Sequence, residues 1–254
     1  MLKNMLKAFL RKNKRIVSFY YKARFIAKAF SRNLFHLERF MLFMKVLPYT
    51  MAGYERLSNA YQLAKRAEKE NLQGAFVECG VWKGGTIGIM AYAARKNPAR
   101  SIWLCDSFEG LPEPGIKDGE VAKSYAKNKN SGNLNAIGEC VGLLVDVKKL
   151  FSSILKIKED RVYIERGWFQ NTLQKTKERI GAIAILRLDA DWYESTRCIL
   201  ENLYDNVVSG GYVIIDDYGH WEGCKKAVDE FFKKRNLHIS LTRIDYTGVY
   251  FKKI

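Results

Sequence analysis

From Leu57 onward, short apolar runs alternate with stretches of helical length and spacing. Ala75-Phe76-Val77, Ile102–Cys105, Val162–Ile164, Ala182–Leu188 and Tyr212–Ile215 have the length and composition of strands. Leu57–Glu70, Ile87–Ala94, Ser195–Tyr204 and Cys224–Lys234 read as helices between them. Short apolar strands separated by helices predict a mostly parallel sheet covered on both faces. The end differs: His238–Ile244 and Val249–Phe251 flank Asp245-Tyr246-Thr247-Gly248, which predicts a terminal hairpin and one antiparallel strand.

Ahead of this rhythm the pattern changes. Residues 1–45 hold twelve Lys and Arg against the single acid Glu38, so most of the chain's formal charge of +16 sits there. The remainder is a nearly neutral domain, which sets the expected division at 1–47 for a basic helical arm and 48–254 for the main domain. Basic residues interrupt every apolar stretch of the arm, which argues against a signal peptide. Its uncharged runs fall far short of the roughly 20 residues of a membrane span. Phe19, Ala23, Ile26, Ala27 and Phe30 recur at helical spacing with Lys22, Arg24, Lys28 and Arg32 beside them. Such a helix either packs on its own domain or a second subunit with its basic face solvated, or lies on an anionic membrane surface. Five dispersed cysteines with no C-x-x-C pair fit a reducing compartment, so a cytoplasmic protein is expected.

Chemistry-bearing residues follow each predicted strand, where open parallel sheets bind ligands. After the first comes Phe76-Val-Glu-Cys-Gly-Val-Trp-Lys-Gly-Gly-Thr86. Its glycines permit tight turning, but Trp82 stands where a dinucleotide fingerprint needs its second glycine. Glu78, just before the turn, would repel a pyrophosphate and hold an ammonium group, which favours a cationic, amino-acid-bearing cofactor; the plain alternative is a tight turn without ligand. After the second strand, Asp106 could accept hydrogen bonds from ribose hydroxyls or cap the next helix.

Asp189 and Asp191 follow the fourth strand, and Asp216 and Asp217 the fifth. If those strands are neighbours, their axes lie roughly 4.8 Å apart and Asp189, Asp216 and Asp217 could converge. Three carboxylates so placed repel one another unless a cation sits among them. An all-oxygen set suits Mg²⁺, Mn²⁺ or Ca²⁺. Asp191 would stand beside the metal, placed to take a proton from a hydroxyl whose acidity the metal has raised. Helix capping is the competing explanation, although four acids exceed what it requires. Of the histidines, His36 and His238 read as arm and strand positions, while His220 lies near the proposed site as a substrate contact or a packed loop residue.

Taken in order, these motifs resemble the macrocin O-methyltransferase family, S-adenosylmethionine enzymes that methylate sugar hydroxyls. The resemblance spans roughly residues 48–235. It rests on Tyr49-Thr-Met-Ala-Gly, Arg56-Leu57, Glu78-Cys-Gly-Val-Trp-Lys-Gly-Gly85, Asp106-Ser-Phe-Glu-Gly-Leu-Pro112, Gly167-Trp-Phe169, Leu188-Asp-Ala-Asp-Trp-Tyr-Glu-Ser-Thr196 and Gly210-Gly-Tyr-Val-Ile-Ile-Asp-Asp-Tyr-Gly219. It implies a Rossmann-like class I methyltransferase fold with seven strands, the last antiparallel. It implies Mg²⁺ held by Asp189, Asp216 and Asp217, with Asp191 as general base. It further implies cofactor contacts from Thr50 and Met51, from Glu78, Gly80, Gly84, Gly85 and Thr86, from Asp106, Ser107 and Phe108, from Gly167 and Trp168 near the adenine, and from Asp189. The acceptor would be a sugar-containing small molecule or glycan, and a homo-oligomer is expected. Residues 1–45 match nothing in the family pattern. Gly115–Gly138, rich in Lys, Asn and Gly, lies where a substrate lid would be expected. Two other readings stay in view. A nucleic-acid methyltransferase would need a basic face around the site, whereas the charge lies in the arm. A non-catalytic cofactor-binding scaffold would use the arm at a membrane surface.

Overall fold

The computed structural model describes residues 14–254, with side chains from residue 19 onward; the first thirteen residues of the basic arm lie outside the described residues. Seven strands form one sheet: β1 (Ala75–Cys79), β2 (Ile102–Asp106), β3 (Val162–Arg166), β4 (Ile183–Leu188), β5 (Val207–Ile215), β6 (Thr242–Arg243) and β7 (Val249–Lys252). Their order is β3-β2-β1-β4-β5-β7-β6. The first five run parallel, and β7 enters antiparallel between β5 and β6. The order reverses between β1 and β4, which creates a crevice beyond their carboxyl ends.

β1 and β4 are buried along their whole length, as strands covered on both faces must be. One face carries α1 (Lys14–Arg32), α2 (Leu37–Val46), α3 (Tyr54–Lys69) and α4 (Gly85–Ala93), whose Phe43, Leu57 and Ile87 share a core with Phe76 and Ile185. A short helix, α5 (Gly119–Tyr125), and then α6 (Leu144–Lys149) occupy the long connection after β2. The opposite face carries α7 (Phe169–Ile180), α8 (Tyr193–Leu203) and α9 (Glu222–Lys234), packed on Val77, Leu186 and Val213. Packing runs across residue 48, since Leu42 and Val46 belong to the same cluster as Leu57 and Leu63.

Three expectations change. β5 begins at Val207 rather than Tyr212: Val207 pairs with Ile183, and the register then shifts so that Tyr212 pairs with Ile185. Gly210, at φ 79°, lies in the irregular stretch that absorbs the extra residues. The penultimate strand shrinks from His238–Ile244 to Thr242–Arg243, and His238 lies outside any strand. Leu237, Ile239 and Leu241 instead pack against the helical face, taking that segment away from the ladder. In α1, the stripe Phe19, Ala23, Ile26, Ala27 and Phe30 faces outward. Docking falls to Phe25 and Ala29, because Phe25 meets the rings of Phe43 and Tyr54 edge-on at 6.5 and 5.9 Å. No described helix is long and apolar enough to cross a membrane.

Candidate active site

A cleft of about 290 Å³ opens at the carboxyl edge of the sheet, over the crevice between β1 and β4. Its floor depends on one glycine. A Cβ on Gly80, at φ 88°, would sit 1.6 Å from the carbonyl oxygen of Asp189. Only a residue without a side chain lets the turn after β1 cross the end of β4 so closely. The same turn is held from the other side by Asp106. One carboxylate oxygen accepts the N–H groups of Val81 at 2.6 Å and Trp82 at 3.0 Å, and the other accepts Phe108 N–H at 2.7 Å. Burial raises the pKa of Asp106, opposed by those three donors. The second oxygen keeps acceptor capacity for one further donor.

Of the sequence-predicted residues, Met51, Gly80, Asp106, Ser107, Gly167, Trp168, Asp189, Asp191, Asp216 and Asp217 line this cleft, and His220 joins them. Thr50, Glu78, Gly84, Gly85, Thr86 and Phe108 do not line it. Gly85 is a packing glycine, since its Cβ would meet Tyr49 carbonyl oxygen at 2.5 Å. Gly84, at φ 85°, precedes the first turn of α4. Glu78 is fully buried and accepts Ile87 N–H at 3.0 Å and Arg187 Nη1 at 2.5 Å. It therefore braces the α4 terminus and the sheet rather than reaching an ammonium group directly.

The acids after β4 and β5 do meet. Asp189, Asp216 and Asp217 each present a carboxylate oxygen within 4.8 Å of the others. Asp216 accepts Arg187 on one oxygen and Arg56 on the other. Asp189 accepts Arg187 at 2.8 Å, and Asp191 accepts Trp221 Nε1 at 2.7 Å. Asp217 Oδ2 is buried with no hydrogen-bond partner. With Glu78 and Asp191 included, five carboxylates face two guanidiniums, Arg56 and Arg187. If all were ionised, three negative charges would be uncompensated. Burial raises Asp217 well above the usual carboxylate range, and Asp191 and Asp189 add to it. Asp191 is pushed to about 7 by burial and then by Asp189. Burial also pushes Asp216 up, but Arg187 and Arg56 outweigh it and the net shift is downward. An orphaned buried oxygen in an all-carboxylate set with excess negative charge fits a hard divalent cation.

Neither Arg187 nor Arg56 was expected at the site from the sequence, although Arg56 stands in one of the family motifs. Arg187 is the β4 register partner of Glu78 on β1, so two charges face each other inside two otherwise apolar strands. A charged residue amid a buried run is a legible signal, because such groups stay inside only when paired. Arg56, on α3, bridges Asp216 and, at 3.2 Å, Asp245 of the β6–β7 turn. The unplaced segment after Gly115 is tied down by Asp118, which accepts Tyr193 N–H at 2.6 Å and Gly115 N–H at 2.7 Å. Beyond it, α5 brings Tyr125 over the cleft, edge-on to Trp221 at 5.5 Å.

A seven-stranded sheet in this order, with β7 reversed and the cleft at the switch point, defines a class I methyltransferase fold. The chain belongs to the macrocin O-methyltransferase family, whose model matches residues 39–253. It is similar to demethyldecarbamoylnovobiocin O-methyltransferase of Streptomyces niveus, 36% identical over 207 residues that make up 81% of this chain and 76% of that protein. It is also similar to 8-demethyl-8-(2,3-dimethoxy-alpha-L-rhamnosyl)-tetracenomycin-C 4'-O-methyltransferase of Streptomyces olivaceus, 34% identical and covering 80% of this chain and 75% of that one. Among solved structures, the O-methyltransferase NovP superposes with a TM-score of 0.70 at 36% identity, covering 81% of this chain and 82% of that chain. The chain is an O-methyltransferase by this membership.

Proposed function

We propose that this protein transfers a methyl group from S-adenosylmethionine to a hydroxyl of a sugar-containing acceptor, with Mg²⁺ held at the aspartate cluster. The convergence of Asp189, Asp216 and Asp217 beside the Gly80 turn carries this reading. When bound, the cation lowers the pKa of a coordinated hydroxyl, and the sulfonium supplies the methyl group and one further positive charge. Asp189 and Asp217 offer the metal their free lone pairs, while Arg56 and Arg187 fix Asp216 in orientation. Asp191 accepts the acceptor's proton, with its carboxylate aimed by Trp221 Nε1–H. Asp106 and Ser107 hold the ribose, and Trp168 flanks the adenine. Tyr125 and Trp221 give the acceptor an aromatic wall. Alignment of such groups supplies roughly 7–11 kcal/mol of barrier reduction in favourable cases.

A sugar acceptor is supported by the relative whose name specifies a rhamnosyl group. An acidic cleft disfavours a nucleic-acid backbone, since phosphates need cations around the site. The test is a methyl-transfer screen over nucleotide sugars and glycosides with Mg²⁺ or with EDTA. Mg²⁺-dependent transfer to at least one sugar hydroxyl is expected. Metal-independent transfer, or transfer only to nucleic acid, would overturn the proposal.

A further inference from the structure

The outward face of α1 and the segment leading into α2 has an unusual composition. Phe19 is 74% exposed, Ile26 42% and Phe30 58%, and in the segment that follows Phe35 is 94% exposed and Leu37 71%. Among the described residues, Phe30 meets one ring, that of Phe40, edge-on at 6.0 Å. Exposed Lys22, Arg24 and Arg32 flank these side chains, and the sequence has no Asp or Glu before Glu38. Among the described side chains of α1, only Lys28 pairs with an acid, Glu55 on α3.

We infer that this face docks on an anionic lipid bilayer, with the apolar side chains seated among the acyl chains and the cations against the headgroups. Large apolar side chains in one exposed band, which a folded monomer rarely leaves open, require a partner surface. The charge selects which partner. A second copy related by a two-fold axis would set one cationic face against another, because such an interface apposes the same patch to itself. An anionic bilayer complements both the charge and the apolar band, and over the described side chains of α1, from Phe19 onward, apolar and basic positions share one outward surface. The cleft is lined by no residue between 19 and 50, so docking leaves its mouth open.

Flotation of the full chain tests this, using vesicles of phosphatidylcholine alone and of equimolar phosphatidylcholine and phosphatidylglycerol. Binding to the mixed vesicles only, weakening as salt is added, is expected. The double variant Phe19→Glu/Ile26→Glu should bind about tenfold more weakly or worse, while methyl transfer to a soluble acceptor is unchanged. Lys22→Gln/Arg24→Gln should weaken binding by about fivefold per charge removed. It carries the test if circular dichroism shows that the first variant misfolds. Absence of vesicle binding overturns the inference, as does equal binding by both variants. A dimer in sedimentation that Phe19→Glu/Ile26→Glu dissociates, without vesicle binding, assigns the face to a second copy and also overturns it.

Discussion

Replacing Arg187 with Met removes the cation at the centre of the buried acid cluster while keeping most of its volume. Three carboxylates then lose a partner at once: Glu78 at 2.5 Å, Asp189 at 2.8 Å, and Asp216. At an effective dielectric near 20, each close pair is worth about 4 kcal/mol of Coulomb energy, offset by the desolvation of a guanidinium that no longer has to be buried. Orphaning the acids leaves a net loss of about 3–5 kcal/mol in the metal-free protein at pH 7. The loss should shrink as pH falls. Asp216, held below its ordinary pKa by Arg187 and Arg56, contributes stability that is present above pH 3.8 and lost as pH drops through its folded pKa. Mg²⁺ should restore part of the deficit at pH 7, since a ligand of the native state stabilises it increasingly as its concentration rises above its Kd. Urea unfolding in EDTA and in excess Mg²⁺, at pH 7 and at pH 3, measures all three effects. A variant within about 1 kcal/mol of the wild type in EDTA at pH 7 would refute the reasoning.

Gly80→Ala should cost about 3 kcal/mol or more and abolish S-adenosylmethionine binding, because the new Cβ is directed at Asp189 carbonyl oxygen. Gly138→Ala is the control: its φ of 79° is similar but nothing lies within 4 Å, so thermal unfolding should report a loss of only about 1 kcal/mol. In EDTA, stability should fall from pH 5 to pH 8 by about 2–3 kcal/mol. Asp191, at about 7 in the fold against an ordinary 3.8, keeps its proton longer when folded, so the folded state binds more protons across that window. Denaturant midpoints at constant ionic strength check the sign, and saturating Mg²⁺ should flatten the curve. Asp118→Ala strips two backbone N–H groups of their acceptor, about 1–3 kcal/mol of local stability. Hydrogen exchange should rise across residues 115–138, and KM for the acceptor should rise with kcat nearly unchanged.

The parallel sheet was legible because β1, β2, β4 and the end of β5 are buried on both faces and so appear as almost entirely apolar runs. The positions of Asp106, Asp189, Asp216 and Asp217 follow from that alone, since strand ends at a switch point face one crevice. Roles within the crevice were less legible. Glu78 and Arg187 are joined by strand register across 109 residues, and no local pattern shows which strands are neighbours. Gly85 and Gly84 look like cofactor glycines by spacing, yet Gly85 is fixed by the approach of Tyr49 from a distant segment. The α1 stripe was legible as a helix but not in its direction, because Phe25 docks through rings supplied by α2 and α3. In α5, Gly119 opens the helix and Asp118 anchors it by a tertiary hydrogen bond from Tyr193 N–H, which local propensity does not register.

The central claim is that the aspartate cluster holds a divalent cation. Asp217 tests it most cleanly, because its Oδ2 has no partner and its ionised form is disfavoured in the fold. Calorimetric titration of Mg²⁺ into the wild type and Asp217→Asn, each with S-adenosylmethionine present, is the measurement. Asn should leave the metal-free protein as stable as the wild type or more so, yet weaken Mg²⁺ binding by about 100-fold or more. Wild-type Mg²⁺ affinity in a folded Asp217→Asn protein would contradict that claim.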